Sequence, residues 1–200
     1  MENTSVSLKS STISMSFIDI EERLVFSRKY HFNRTNVAIH IVCIPIILFT
    51  AIAYLNRFQL SSPYLNGGSI LALGYSIYYV LLDFKLGLIT FPILNGIAYA
   101  LTELWQFSKQ NSPPDFTSTT FSRYALALHV FSWLAQFYGH GVYEKSKPAL
   151  FDSLADAITL APFFVVFEAA FALGYKPELQ KRMNNRAGKF VRDQKLKKKN

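Results

Sequence analysis

The sequence predicts an all-α fold, a polytopic membrane bundle of four to five hydrophobic helices, and three observations carry that reading. Half of the 200 residues are hydrophobic and 16% are aromatic. Of the 21 Lys and Arg, five precede residue 37 and ten follow Tyr175, which leaves six in the long stretch between. That stretch divides into apolar runs near the roughly 20 residues that a helix needs to cross the hydrocarbon core.

Residues 1–30 form a polar N-terminal segment with room for a short helix. They hold no apolar run long enough for a signal-peptide core, so the first membrane segment is expected to direct insertion. Residues 31–175 are the membrane body. Its first apolar run covers residues 37–54, with Pro45 inside and Asn56 and Arg57 closing it. SSPYLNGG then reads as a loop, because Pro and paired Gly punctuate the chain. The second run, 69–82, ends at Asp83 and Lys85, and the third, 86–107, carries Pro92 and Glu103. KQNSPPDFTST is a loop. The fourth run is 124–138, and the fifth is 158–175, with Pro162 and Glu168 inside it. Residues 176–200 are a basic tail.

The positive-inside bias places both the Arg23, Arg28, Lys29, Arg34 group and the tail on the cytosolic side. Two cytosolic termini require an even number of crossings, so one run is expected not to span. The fifth, with Pro162 near its start, is the first candidate and the short fourth is its rival. Lys197 and Lys198 stand where the dilysine retrieval signal of endoplasmic reticulum membrane proteins places its lysines, which agrees with a cytosolic tail. The tail follows an apolar segment directly, so its cations are expected to meet anionic lipid headgroups. No nucleic-acid module is visible, and no nucleic-acid partner is expected. The single Cys43 excludes an internal disulfide and a cysteine zinc site.

The chemistry-bearing residues are few. All four histidines, His31, His40, His129 and His140, lie beside or inside apolar runs, where polar groups are costly and point to function. With a cytosolic N-terminus, His31, His40 and His140 converge on one membrane face. His129 lies 11 residues before His140 on the same run, roughly 16 Å deeper, and cannot share an ion with it. Residues nine apart on a straight helix face opposite ways, so His31 and His40 can meet only if the chain breaks between them. FNRTN offers that break, with Thr35 or Asn36 as the expected helix cap. Glu144 follows His140 by four residues and would share its face, and Gly139 and Gly141 permit close backbone approach or a local irregularity. Two or three imidazoles, one carboxylate and open positions suit a mononuclear non-haem iron that binds oxygen.

Counting weighs the rivals. Membrane di-iron hydroxylases use about eight histidines, and a His-Glu-x-x-His zinc helix is absent. A bis-histidine haem needs only two, and a non-enzymatic endoplasmic reticulum membrane scaffold would need none. Among the carboxylates, Asp83 and Glu103 fall at segment ends and read as interfacial. Glu168 could orient a ligating histidine, meet a polar substrate head, or stay a protonated structural group.

YHFNRTNVAIHIVCIPIILF, residues 30–49, resembles the Tyr-His-x(4)-Asn-x(3)-His-x(4)-Pro opening of the fungal 2-hydroxy fatty acid dioxygenases. QFYGHGVYEKSKPALFDSL, residues 136–154, resembles their Gln-Phe-x-Gly-His-Gly-x-x-Glu-x-x-x-Pro-Ala-Leu signature, and residues 160–179 continue the likeness. The resemblance implies a multi-pass endoplasmic reticulum membrane enzyme that uses Fe(2+) and O2. Its reaction would shorten a 2-hydroxy fatty acid by one carbon, in fatty acid α-oxidation during phytosphingosine breakdown. The motif histidines map onto His31, His40 and His140 as metal ligands, with Gln136 and Glu144 as motif residues of expected catalytic role. Lys145 and Lys147 could attract the substrate carboxylate, and the acyl tail would run between the apolar helices. His129, outside both motifs, is left a structural part.

Overall fold

The computed structural model describes residues 19–111 and 117–197. Most of the polar N-terminal segment, the middle of the KQNSPPDFTST loop and Lys198 of the dilysine pattern lie outside the described residues. The rest is helical apart from one small hairpin.

Helix α1 spans Ile20–Tyr30. Asp19 caps it by accepting from the Glu22 N–H, with acids in its first turn and Arg28 and Lys29 in its last, the order that the helix dipole favours. The chain then breaks for three residues and restarts as α2, Arg34–Leu55. The cap of α2 is Asn33, not Thr35 or Asn36. Its extended backbone lets the side-chain oxygen accept from both the Thr35 and Asn36 N–H groups, so those two residues already belong to the first turn. Beyond α2, the stretch read as a plain loop pairs as a hairpin of β1, Gln59–Ser62, and β2, Leu65–Asn66.

Helices α3, Gly67–Leu82, and α4, Phe84–Asn111, are joined by Asp83 alone. They run antiparallel, as bonds from Asn66 to Thr102 and from Asn95 to Ser76 show. A Cβ on Gly87 would sit 2.5 Å from the Tyr79 backbone, so only glycine allows this crossing. Helix α5, Thr117–Tyr138, packs along α2 and continues directly into a π-helical turn, Gly139–Glu144.

The fifth apolar run is not one helix. It divides at Leu160 into α6, Leu154–Thr159, and α7, Ala161–Ala172, with Pro162 in the opening turn of α7, where the missing N–H costs nothing. At 1.5 Å per residue the 12 residues of α7 reach roughly 18 Å, less than the hydrocarbon thickness. Among the described residues two helices, α2 and α4, are long and apolar enough to cross a membrane, and α3 and α7 are shorter apolar helices. Helix α5 has the length but carries Arg123, His129, Ser132 and Gln136.

The core gathers where α1, α2, α3 and α7 meet. Leu24, Ile52, Leu160, Phe163 and Phe167 are completely enclosed, and the Phe163 ring stacks on Tyr79 at 4.3 Å. Outward, Leu73, Ile77, Ile89, Ile93, Phe131 and Leu134 form an exposed apolar belt. A belt of this extent marks a lipid or partner surface.

The basic tail folds back as α8, Pro177–Lys197. Its apolar side, Leu179, Met183 and Ala187, is buried, and Arg182 and Arg186 pair with Glu21 and Glu22 of α1. Asp83 anchors the start of α8 by accepting from Tyr175 Oη at 2.9 Å and Lys176 Nζ at 2.6 Å.

Candidate metal centre

The break between α1 and α2 brings together imidazoles that a continuous helix would hold apart. His31 ends α1, and its Nδ1–H donates to the Ser27 carbonyl one turn back, at 2.7 Å. His40 lies two turns into α2, and its Nδ1–H donates to the Asn36 carbonyl at 2.9 Å. A carbonyl can only accept, so both rings carry their proton on Nδ1 and leave the Nε2 lone pair free. His140 arrives from the π-helical turn that follows α5.

The three ring centroids stand 4.4, 4.9 and 4.9 Å apart, and one nitrogen from each ring lies within 4.8 Å of the other two. His40 and His140 are both 3% exposed, and His140 Nδ1 is buried with no partner. An unsatisfied buried ring nitrogen in a cluster that also holds two free Nε2 lone pairs fits a metal ion better than it fits a packed core. Burial, followed by the neighbouring His40 and His140 rings, pushes His31 well below the usual imidazole range. It therefore stays in the neutral form that coordinates.

Glu144 is not a fourth member of the cluster. Its carboxylate accepts from the Phe32 N–H at 3.1 Å, the Asn33 N–H at 2.9 Å and Asn36 Nδ2 at 3.2 Å. Both oxygens are thereby engaged at the N-terminus of α2, where the dipole also favours negative charge. These bonds tie the turn bearing His140 to the linker that follows His31. Gly139 completes the fit, since a Cβ there would stand 2.4 Å from Asn36 Oδ1. Gly141, by contrast, faces open space.

Gln136 lies one turn before His140. It is 8% exposed, its Nε2 has no partner, and with the three histidines it lines a cavity of about 50 Å³. Pro148, with Ala149 and Leu150 of the short 3-10 helix Ala149–Phe151, also lines the cavity, as does Phe164 of α7, whose ring lies 5.7 Å from His31.

The other candidates fall elsewhere. His129 accepts from Trp133 Nε1 at 3.1 Å and donates through Nδ1 to Thr50 Oγ1 at 3.0 Å, away from the cluster. Glu168 pairs with Arg28 at 3.4 Å. Lys147 pairs with Asp152, Lys145 is exposed, and neither lines the cavity. Sequence reasoning missed Asp156, which lines the cavity and is held by Arg23 at 2.7 Å and by Ser153 Oγ at 2.6 Å. The signal available was Arg23 itself, a lone cation entering the apolar LVF run. The haem alternative does not fit, because rings this close leave no gap for a macrocycle between two axial nitrogens.

Residues 17–173 match the family described as 2-hydroxy-palmitic acid dioxygenase Mpo1-like. The chain belongs to that family. It is similar to the 2-hydroxy-palmitic acid dioxygenase MPO1 of Saccharomyces cerevisiae (strain ATCC 204508 / S288c), 35% identical over 163 residues, which cover 82% of this chain and 86% of the relative. No solved structure matches it significantly. The Mpo1-like match contains the three imidazoles, Gln136, Glu144 and all of α1 to α7, and stops before α8.

Proposed function

We propose that this protein is a membrane-embedded dioxygenase that shortens 2-hydroxy fatty acids by one carbon, with Fe(2+) held by His31, His40 and His140. The observation that carries the reading is the cluster of three imidazoles, two of them buried, with two rings oriented by backbone carbonyls and the third left with its Nδ1 unpartnered. The family name supplies the substrate class. In the reaction the C1–C2 bond of the acid breaks, C2 becomes the new carboxyl carbon, C1 leaves as CO2 with one water, and a single O2 is the oxidant. Iron, when bound, supplies the reactivity toward O2 that no side chain in the cavity has.

The protein's own part is orientation. The Ser27 and Asn36 carbonyls fix the His31 and His40 tautomers, the kind of second layer on which metal affinity depends. Glu144 holds the linker and the π turn in register. Gln136 Nε2, buried and unpaired at the cavity wall, would donate a hydrogen bond to the carboxylate or hydroxyl of the acid. The enclosing Phe164, Pro148 and Leu150 keep water from the reacting groups.

The setting belongs to the same proposal: a multi-pass protein of the endoplasmic reticulum membrane, with both ends cytosolic, acting in sphingoid base breakdown. Two long apolar helices, the exposed apolar belt and the basic α8 support it. Four crossings, with α7 too short to cross alone, keep both ends on the same side. The deciding experiment is conversion of 2-hydroxypalmitate to the fifteen-carbon acid by detergent-purified protein. Activity should vanish with a ferrous chelator and return with Fe(2+), and activity that survives rigorous iron removal would overturn the mechanism.

A further inference from the structure

Beside the histidine cavity lies a second one, of about 230 Å³. The two share five wall residues, Ile44, Trp133, Gln136, Ala157 and Ala161. From this common wall the second cavity runs along α2 through Ile47 and Leu48 to Ala51, and Leu71 and Tyr75 of α3 form another side. Ala51 lies eleven residues beyond His40, a path of about 16 Å along the helix.

The polarity of these walls is graded. His129 and Tyr75 border the second cavity, yet neither offers it a free hydrogen bond. Trp133 Nε1–H donates to His129 Nε2, His129 Nδ1–H donates to Thr50 Oγ1, and the Thr50 hydroxyl donates to the Ile46 carbonyl at 2.7 Å. The Tyr75 hydroxyl donates to the Ile158 carbonyl at 2.9 Å. With those groups satisfied internally, the wall is effectively apolar. The unpaired polar atoms, Gln136 Nε2 and His140 Nδ1, lie at the shared wall and in the histidine cavity. A space with one polar end and a long dry body matches an amphiphile whose head sits at the histidines.

We infer that this second cavity takes the alkyl chain of the substrate acid, and that Ala51, its lining residue on α2 farthest from His40, sets the chain length accepted. The inference rests on a 2-hydroxy acid being the substrate. It gives the expected path between the apolar helices a definite place, with the Trp133 indole as the hinge between head and tail. A larger side chain at Ala51 shortens the space from its far end and leaves the head end intact.

The test reads binding without turnover. In a Trp105→Phe chain Trp133 is the single indole left, so a fatty acid brominated at mid-chain should quench its emission saturably. Ala51→Phe should raise the half-saturating concentration of a sixteen-carbon acid about tenfold, and Ala51→Leu by less, as overfilling a packed space does. In the same order, turnover of 2-hydroxypalmitate should fall relative to a twelve-carbon analogue. Should Trp105→Phe fail to fold, the wild-type chain serves, since Trp105 lines neither cavity. Quenching that never saturates, or that saturates alike in the wild type and both Ala51 variants, overturns the cavity assignment even in a chain that oxidises 2-hydroxy acids. Saturable quenching in a chain with no oxygenase activity supports the cavity and sinks the proposed reaction instead.

Discussion

The Glu144 carboxylate accepts the backbone N–H of Asn33 at 2.9 Å across 111 residues of sequence. This bond and its neighbours at Phe32 and Asn36 join the two motifs into one site: the first supplies His31 and His40, the second His140. In the proposed site Glu144 would support the metal without touching it. Glu144→Ala strands three donors and should weaken iron binding about 10- to 100-fold, in the range that supporting residues command. Glu144→Gln, which keeps one acceptor, should lose less. Calorimetric or chelator-competition titration of Fe(2+) into the detergent-solubilised variants reads the difference.

Gly139 and Gly141 flank His140 but should respond differently to the same change. A Cβ at Gly139 meets Asn36 Oδ1 at 2.4 Å, whereas one at Gly141 meets nothing within 4 Å. Gly139→Ala should destabilise the protein by about 1–3 kcal/mol, the usual penalty for overpacking, and should reduce metal content with it. Gly141→Ala should leave both near wild type. Thermal unfolding of the two variants in the same detergent decides this.

His31 gives the metal-free protein a pH dependence of known sign. Burial and its two neighbouring rings depress its proton affinity in the folded state, so below about pH 6.5 the unfolded chain takes up a proton that the folded chain refuses. The stability His31 contributes is complete above that pH and falls as the pH drops, by up to about 1.4 kcal/mol per unit. His31→Asn should flatten that part of the profile. Denaturation of the apo protein between pH 7 and pH 5 measures it.

The α1–α8 junction should yield to acid and salt. Arg182 hydrogen-bonds the Glu21 carboxylate and holds it below its ordinary range. That contribution is present above the ordinary carboxylate range and is lost as the pH falls through the depressed value. The pair is largely exposed, so its effect is modest and weakens with ionic strength. Glu21→Lys should make α8 cleavable by protease at low salt while α2 to α7 stay protected. An α8 equally protected in both chains would assign the docking to Leu179, Met183 and Ala187 alone.

The site was legible in the sequence because its chemistry is concentrated in two dense motifs, and because imidazoles stand out in an apolar chain. Spacing required a break between His31 and His40, and depth separated His129 from the others. Spacing could not show which residue caps α2, since Asn33, Thr35 and Asn36 are all competent caps and tertiary contact selects among them. The role of Glu144 was hidden for a similar reason: four residues from His140 suggests a shared face, but the donors it meets lie more than a hundred residues away. The division of the fifth run at Leu160 turns on Pro162 and on buried contacts of Leu160 that hydropathy does not weigh. The graded second cavity is a property of packing, and no motif announces it.

Whether His31, His40 and His140 hold one iron ion is read from the iron content of the purified chain. Protein prepared without oxygen and equilibrated with Fe(2+) should carry one ion per chain, and His31→Ala, His40→Ala and His140→Ala should each lose it while remaining folded. Stoichiometric iron retained in all three variants, or a folded wild-type chain that binds none, would rule out a three-imidazole iron site.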